Sequence, residues 1–183
     1  IFDVKCTGHL PKYIVKSGGM PIMWKTGHSF MKAKLKETNA AMAGEMSGHF
    51  FFNERWFGFD DGIYAAAQLL EILDQEDAEP QEVFDTLPKG VSTPELKVHM
   101  KEGEHYQFIE KFVEHTEFPD AKVTTIDGIR ADYSDGWGLV RCSNTTPCLV
   151  IRFDADNQRA LERIQQDFKT KLWAVNDKLE LPF

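Results

Sequence analysis

With 183 residues, 42% of them apolar and 27% charged, the chain is long enough for one large domain or two small ones and has the make-up of a globular protein. A net charge of −8, from 29 acidic against 21 basic residues, argues against a nucleic-acid partner, which would want clustered Lys and Arg. It leaves room for a small anion, since a few local cations and N–H groups hold one phosphate whatever the global charge. No apolar run nears the roughly 18 residues that span a bilayer, and no signal peptide is visible, so no membrane partner is expected. Cys6, Cys142 and Cys148 make neither a CxxC pair nor an even disulfide set, which fits a reducing cytoplasm.

The first residues, Ile1 to Lys5, read as a strand already in progress with no Met and no charged lead-in. A strand needs neighbours for its backbone groups, so a preceding portion is expected to be missing. A second strand is expected at Pro21–Trp24, after Gly18-Gly19-Met20. Residues Ser29 to Asn39 have helical spacing, with Met31, Leu35 and Thr38 on one face and lysines on the other. A strand at His49–Phe52 follows a Gly-rich loop, which is expected to connect it to a helix. Asp60-Asp61-Gly62 supplies an N-cap and first turn for a helix whose apolar positions are Ile63, Ala66, Ala67, Leu70 and Leu73. Strands and helices alternate here, predicting an α/β mixed-sheet layer.

Pro88 and Gly90 punctuate a seam near Leu87–Gly90, giving expected domains of residues 1–87 and 88–183. The second block opens on a helix marked by Tyr106, Ile109, Phe112 and Val113. Strand-like runs follow at Lys122–Ile126, Ile129–Tyr133 and Trp137–Arg141, joined by Asp127-Gly128 and Ser134-Asp135-Gly136, which are strong hairpin signals. A fourth run, Cys148–Phe153, puts Leu149, Ile151 and Phe153 on one face. A last helix carries Leu161, Ile164, Phe168 and Leu172. This pattern is α+β, an antiparallel sheet covered by two helices.

Four loops carry candidate chemistry. Gly44-Glu45-Met46-Ser47-Gly48-His49 places a carboxylate, a hydroxyl and an imidazole between glycines, and a carboxylate that accepts from neighbouring hydroxyls suits a sugar. Arg141-Cys142-Ser143-Asn144-Thr145-Thr146-Pro147 combines a guanidinium fork, short hydroxyl and amide side chains and loop N–H groups, which suits a phosphate; the same residues also build ordinary turns. Lys25-Thr26-Gly27-His28-Ser29 brings His28 to a helix start that favours anions, though Ser29 there could serve only as a cap. Lys5 stands at a strand end of the kind that faces ligands in α/β layers. A metal held by His28, Glu45 and His49 is the rival reading, disfavoured because Glu45-x-x-x-His49 crosses a glycine loop rather than lying along one helix face.

Taken together in chain order, these motifs resemble the α-D-phosphohexomutases. The Gly-Glu-x-Ser-Gly-His sugar loop is matched by Gly44–His49, the Arg-x-Ser-Asn-Thr-x-Pro phosphate loop by Arg141–Pro147, Thr-Gly-His-Ser by Thr26–Ser29 and Asp-Val-Lys by Asp3–Lys5. Met46 is similar to the bacterial phosphomannomutase/phosphoglucomutase subgroup, where phosphoglucosamine mutases more often have Gln. The resemblance implies domain 3 of a four-domain enzyme over residues 1–87 and domain 4, of TATA-box-binding-protein-like fold, over 88–183. It implies interconversion of hexose 1-phosphate and hexose 6-phosphate through a 1,6-bisphosphate, glucose 1,6-bisphosphate serving as activator and intermediate.

By that resemblance Arg141, Ser143, Asn144, Thr145 and the Cys142 backbone hold a phosphate, and Glu45 and Ser47, within the loop that Met46 and Gly48 complete, hold the 3- and 4-hydroxyls. Lys5 and His28 contact oxygens, and His49 shapes the sugar loop. The family's Ser-His-Asn phosphoserine setting and its Asp-Gly-Asp-Gly-Asp magnesium loop are absent from the sequence. Mg2+ and catalysis are therefore expected in N-terminal domains that would be this chain's partners, and this stretch is expected to be inactive alone. A stand-alone sugar-phosphate-binding or regulatory module is the alternative.

Overall fold

The computed structural model describes residues 1–183, and the chain divides into two units, Ile1–Lys89 and Gly90–Phe183. No helix is long and apolar enough to cross a membrane.

The first unit runs β1 (Phe2–Asp3), α1 (Leu10–Lys16), β2 (Met23–Trp24), α2 (His28–Thr38), β3 (Met42–Gly44), β4 (Phe50–Phe52), α3 (Gly62–Gln75) and α4 (Pro80–Asp85). Its sheet has the order β2-β1-β3-β4, with β1 parallel to β2 and β3, and β3 antiparallel to β4. The parallel strands therefore end on one edge of the sheet, and the candidate segments after Asp3, Trp24 and Gly44 all leave from that edge. Met31 and Leu35, one helical turn apart, bury their side chains against Ala43 and Phe51 and make the small core of this unit.

Three expectations need correction here. The Gly-rich loop before Phe50 does not follow a helix: Met42–Gly44 is itself a strand, so the loop is the turn of a β-hairpin. Ser29 is no cap, because α2 already begins at His28 and its N-cap is Gly27. The third helix forms where expected, with Asp61 Oδ1 accepting the Tyr64 N–H at 2.9 Å, but its apolar side is not buried, Ile63 being 87% and Leu70 66% exposed.

The second unit runs β5 (Val91–Ser92), β6 (Leu96–His99), α5 (Glu104–His115), β7 (Lys122–Thr124), β8 (Ile129–Tyr133), β9 (Gly136–Cys142), β10 (Cys148–Ala155) and α6 (Gln158–Val175). All of its strand pairs are antiparallel, in the order β5-β10-β9-β8-β7, and β6 shares the outer edge of β10 with β5. Between β5 and β6 the ladder is interrupted by Pro94, which has no N–H to give. Thr93 bridges the gap instead: its N–H donates to the Phe153 carbonyl and its Oγ1 accepts the Phe153 N–H.

Leu161, Ile164, Phe168 and Leu172 of α6 lie buried on the sheet with Leu149, Ile151 and Phe153, and α5 adds Phe108 and Phe112. Phe168 comes so close to the sheet that a Cβ on Gly138 would stand 2.5 Å from its ring, so only glycine fits in β9 at that point. The expected face of α5 is shifted. Tyr106 is 49% exposed, and the inward side carries His105, Phe108 and Phe112.

Candidate functional site

Each unit gathers its own set of candidate residues. In the first, the three segments at the carboxyl edge of the parallel strands are tied together by one aspartate. Asp3 is fully buried; its Oδ1 accepts the Met46 N–H at 3.2 Å and the Cys6 thiol at 3.1 Å, while Oδ2 accepts the Thr26 hydroxyl at 3.1 Å. The Lys5 ammonium, itself buried, stands 3.9 Å from Oδ2. A carboxylate this deep survives only with its lone pairs answered, and here the answering groups come from three different loops.

Glu45 makes the second tie. Its Oε1 accepts the Gly27 N–H at 2.5 Å, at the positive end of α2, where a negative charge is favoured. The side chain is 5% exposed, and Oε2 takes no protein donor. The turn itself is closed by the Gly48 N–H on the Glu45 carbonyl and the Glu45 N–H on the His49 carbonyl. Gly48 has a φ of 88°, a left-handed geometry that a side chain at this hairpin position would strain.

Ser47, Gly48 and His49 are exposed at the tip, Met46 is half-buried, and His28 is exposed at the first position of α2. His49 Nδ1 lies 2.8 Å from Asp60 Oδ2, so its ring is held by a carboxylate with Nε2 turned outward. A cavity of about 640 Å³ adjoins this region, but hydrocarbon side chains such as Phe2, Leu10, Ile14 and Met20 line it, which does not suit a hexose phosphate.

In the second unit the loop from Arg141 to Pro147 connects β9 to β10 and folds around Ser143. The Ser143 hydroxyl accepts the Thr145 and Thr146 N–H groups at 3.3 and 3.2 Å and lies 3.0 Å from Thr146 Oγ1. Two backbone donors thus converge on one oxygen, a serine-closed turn that fixes the shape of the loop. Asn144 and Thr145 are exposed. With Ser143 they line a polar pocket of about 120 Å³ whose other wall is Glu102, His105 and Tyr106.

Arg141 is placed otherwise than a surface fork. It is 4% exposed, its Nε donates to Asp127 Oδ2 at 2.9 Å, and its Nη2 is buried with no acceptor. It does not line the pocket. Cys142 sends its thiol to the His105 carbonyl at 3.1 Å, and burial, more than any neighbouring charge, pushes that thiol up to about 11. It stays protonated at neutral pH and acts as a donor that fastens the loop to α5, not as a nucleophile.

Sequence reasoning named neither Asp3 as the organiser of the first cluster nor His105 and Tyr106 as a wall of the second. A charge inside the apolar run Phe2-Asp3-Val4 was the available signal for Asp3; nothing in the local pattern singles out His105. No group of three or more His, Cys, Asp or Glu side chains in this structure is placed to hold a metal ion.

Comparison with known proteins bears on both units. Residues 1–90 match the family description "Phosphoglucomutase/phosphomannomutase, alpha/beta/alpha domain III" and residues 95–171 match "Phosphoglucomutase/phosphomannomutase, C-terminal domain". The chain is 55% identical over its whole length to a phosphomannomutase/phosphoglucomutase of Pseudomonas syringae pv. tomato, covering 39% of that protein. It is 57% identical over 171 residues, 92% of this chain, to a phosphoglucomutase of Neisseria gonorrhoeae, covering 37% of it. A crystal structure of a phosphoglucomutase/phosphomannomutase family protein from Burkholderia thailandensis superposes with a TM-score of 0.92 at 51% identity, over all of this chain and 38% of that one. The chain thus spans about 40% of the length of the curated relatives it matches.

Proposed function

Because the chain belongs to the phosphoglucomutase/phosphomannomutase family, we propose that it supplies the sugar-holding and phosphate-holding loops of a mutase interconverting hexose 1-phosphate and hexose 6-phosphate, of mannose and glucose, through a 1,6-bisphosphate. The observation that carries this reading is the contrast between the two loop clusters. The first sets a carboxylate, Glu45, two residues from an exposed hydroxyl, Ser47, in one turn and suits vicinal hydroxyls. The second is a polar pocket lined by the hydroxyl and amide side chains of Ser143, Asn144, Thr145 and Thr146 and suits a phosphate. A hexose phosphate carries both chemistries.

In this reading Glu45 and Ser47 hold the hydroxyls at carbons 3 and 4, which glucose and mannose share, and His28, Lys5 and His49 contact sugar or phosphate oxygens. The Ser143–Thr145 segment holds the phosphate remote from the one being transferred, and Arg141 braces it from behind. All of these groups position the substrate; no side chain of this chain is assigned a step of phosphoryl transfer, and magnesium is assigned none of its residues. Positioning alone supplies a large share of a phosphoryl-transfer barrier.

The experiment is a titration of the isotope-labelled chain with glucose 1-phosphate and, in parallel, mannose 1-phosphate, followed by amide resonances. Both sugars are expected to move the resonances of residues 44–49 and 143–146, with no turnover of either. Shifts confined to other residues, or turnover by the purified chain, would overturn the reading.

A further inference from the structure

The pocket beside the phosphate loop has a second wall that neither the motifs nor the family descriptions account for. His105 is the second residue of α5 and lines the pocket opposite Ser143, Asn144 and Thr145. It is 2% exposed, and its Nδ1 is buried with no hydrogen-bond partner.

The backbone around it is in the same condition. The first turn of α5 has no side-chain cap. The Glu104 and Gln107 N–H groups turn back to Lys101 and Gly103, while those of His105 and Tyr106 take no acceptor. A helix N-terminus with free N–H groups attracts an anion, and here it borders a pocket already walled by an unpartnered, buried imidazole. The loop and the helix are held in register by the Cys142 thiol on the His105 carbonyl at 3.1 Å.

We infer that the first turn of α5 completes the anion site, with the His105 imidazole and the His105 and Tyr106 N–H groups donating to a phosphate monoester lodged against Ser143–Thr145. This rests on the reading of that loop as the phosphate holder. Nδ1 is sealed from solvent, which assigns the donor to Nε2–H. Glu102 stands at the exposed rim of the pocket and Glu104 precedes His105 on the helix; the Cys142 thiol, on which Arg141, Asp127 and Glu110 act, lies at the His105 carbonyl. The carboxylates at the rim face water and are screened; the donors behind them are not.

The test is a titration of the labelled 183-residue chain with inorganic phosphate and with methyl phosphate, following the amides of residues 104–107 and 143–146 and the His105 ring nitrogens. Both probes are expected to move the two groups of resonances with one midpoint. His105→Ala should weaken phosphate binding at least about tenfold, the loss of a hydrogen bond to a charged group. His105→Gln, whose amide nitrogen reaches the place of Nε2, should restore most of it, and His105→Asn, which mimics Nδ1, should not.

Loop amides that move while the His105 ring and the 105–106 amides stay still would overturn this inference and leave the phosphate loop standing. So would a response to inorganic phosphate but not to methyl phosphate. Silence at both the loop and the helix would overturn the phosphate loop and this inference together. Should His105→Ala fail to fold, the wild-type ring resonances decide the matter alone.

Discussion

Asp3 and Met46 are 43 residues apart, yet the carboxylate of the first accepts the backbone N–H of the second at 3.2 Å, from a position with no solvent exposure. The same carboxylate holds the Thr26 hydroxyl and the Cys6 thiol, so one buried charge fixes the entrance to α2 and the hairpin turn at once.

Asp3→Asn is expected to destabilise the first unit by about 3 kcal/mol, because the amide turns a donor toward one of the groups that needs an acceptor and removes the charge facing Lys5. Chemical denaturation of the variant checks this, with a shifted midpoint and an unchanged slope. Amide shifts in the mutant should appear at residues 26–28 and 45–48, while the second unit stays unperturbed.

Arg141 is expected to matter more for the phosphate loop's shape than for direct contact. It is buried, pairs with Asp127 at 2.9 Å and does not line the pocket. Arg141→Ala should therefore cost about 3 kcal/mol of stability by breaking one side of a buried pair, and should weaken phosphate binding as a consequence. Arg141→Lys should keep part of the stability, having the charge but not the fork. Full stability of Arg141→Ala with lost binding would make it a direct ligand instead.

The Cys142 thiol, pushed up to about 11 by burial, should alkylate slowly at pH 8. A thiol at its ordinary value of 9.0 would be thiolate about 100 times more often at that pH, and the thiolate is the reacting form. Peptide-resolved iodoacetamide labelling across pH 7–11 should show the Cys142 rate still rising above pH 10. Half-maximal labelling near pH 9 would mean the thiol is not held to the His105 carbonyl.

How much of this was legible depends on the range of the interactions. Strand β8 was readable to the residue, because Ile129–Tyr133 alternates between two turn signals, and the face of α6 was readable because Leu161, Ile164, Phe168 and Leu172 keep one helical stripe. Strand β3 was hidden, since Met42-Ala43-Gly44 is short and made of residues with little strand preference; its pairing with Phe50–Phe52 is what makes it a strand. β5 and β6 were missed for a related reason, each being brief, polar on one side and separated by Pro94.

The loops that carry the candidate chemistry stood out as motifs, but their organisers did not. Asp3 acts through partners more than 20 residues away, and His105 meets the loop of Ser143 only after α5 and β9 pack on each other. Tyr106 shares its spacing with Ile109 and Val113, yet the helix is rolled so that His105, Phe108 and Phe112 face in. Periodicity gives a stripe; the neighbouring element decides where its centre falls.

The division of labour between Glu45 and Ser143 is tested most directly by measuring the affinities of inorganic phosphate and glucose 1-phosphate for the wild-type chain, Glu45→Ala and Ser143→Ala. The expected result is that Glu45→Ala weakens glucose 1-phosphate about tenfold and leaves inorganic phosphate unchanged, while Ser143→Ala weakens both. Equal losses for the two ligands in Glu45→Ala, or no loss for either, would contradict it.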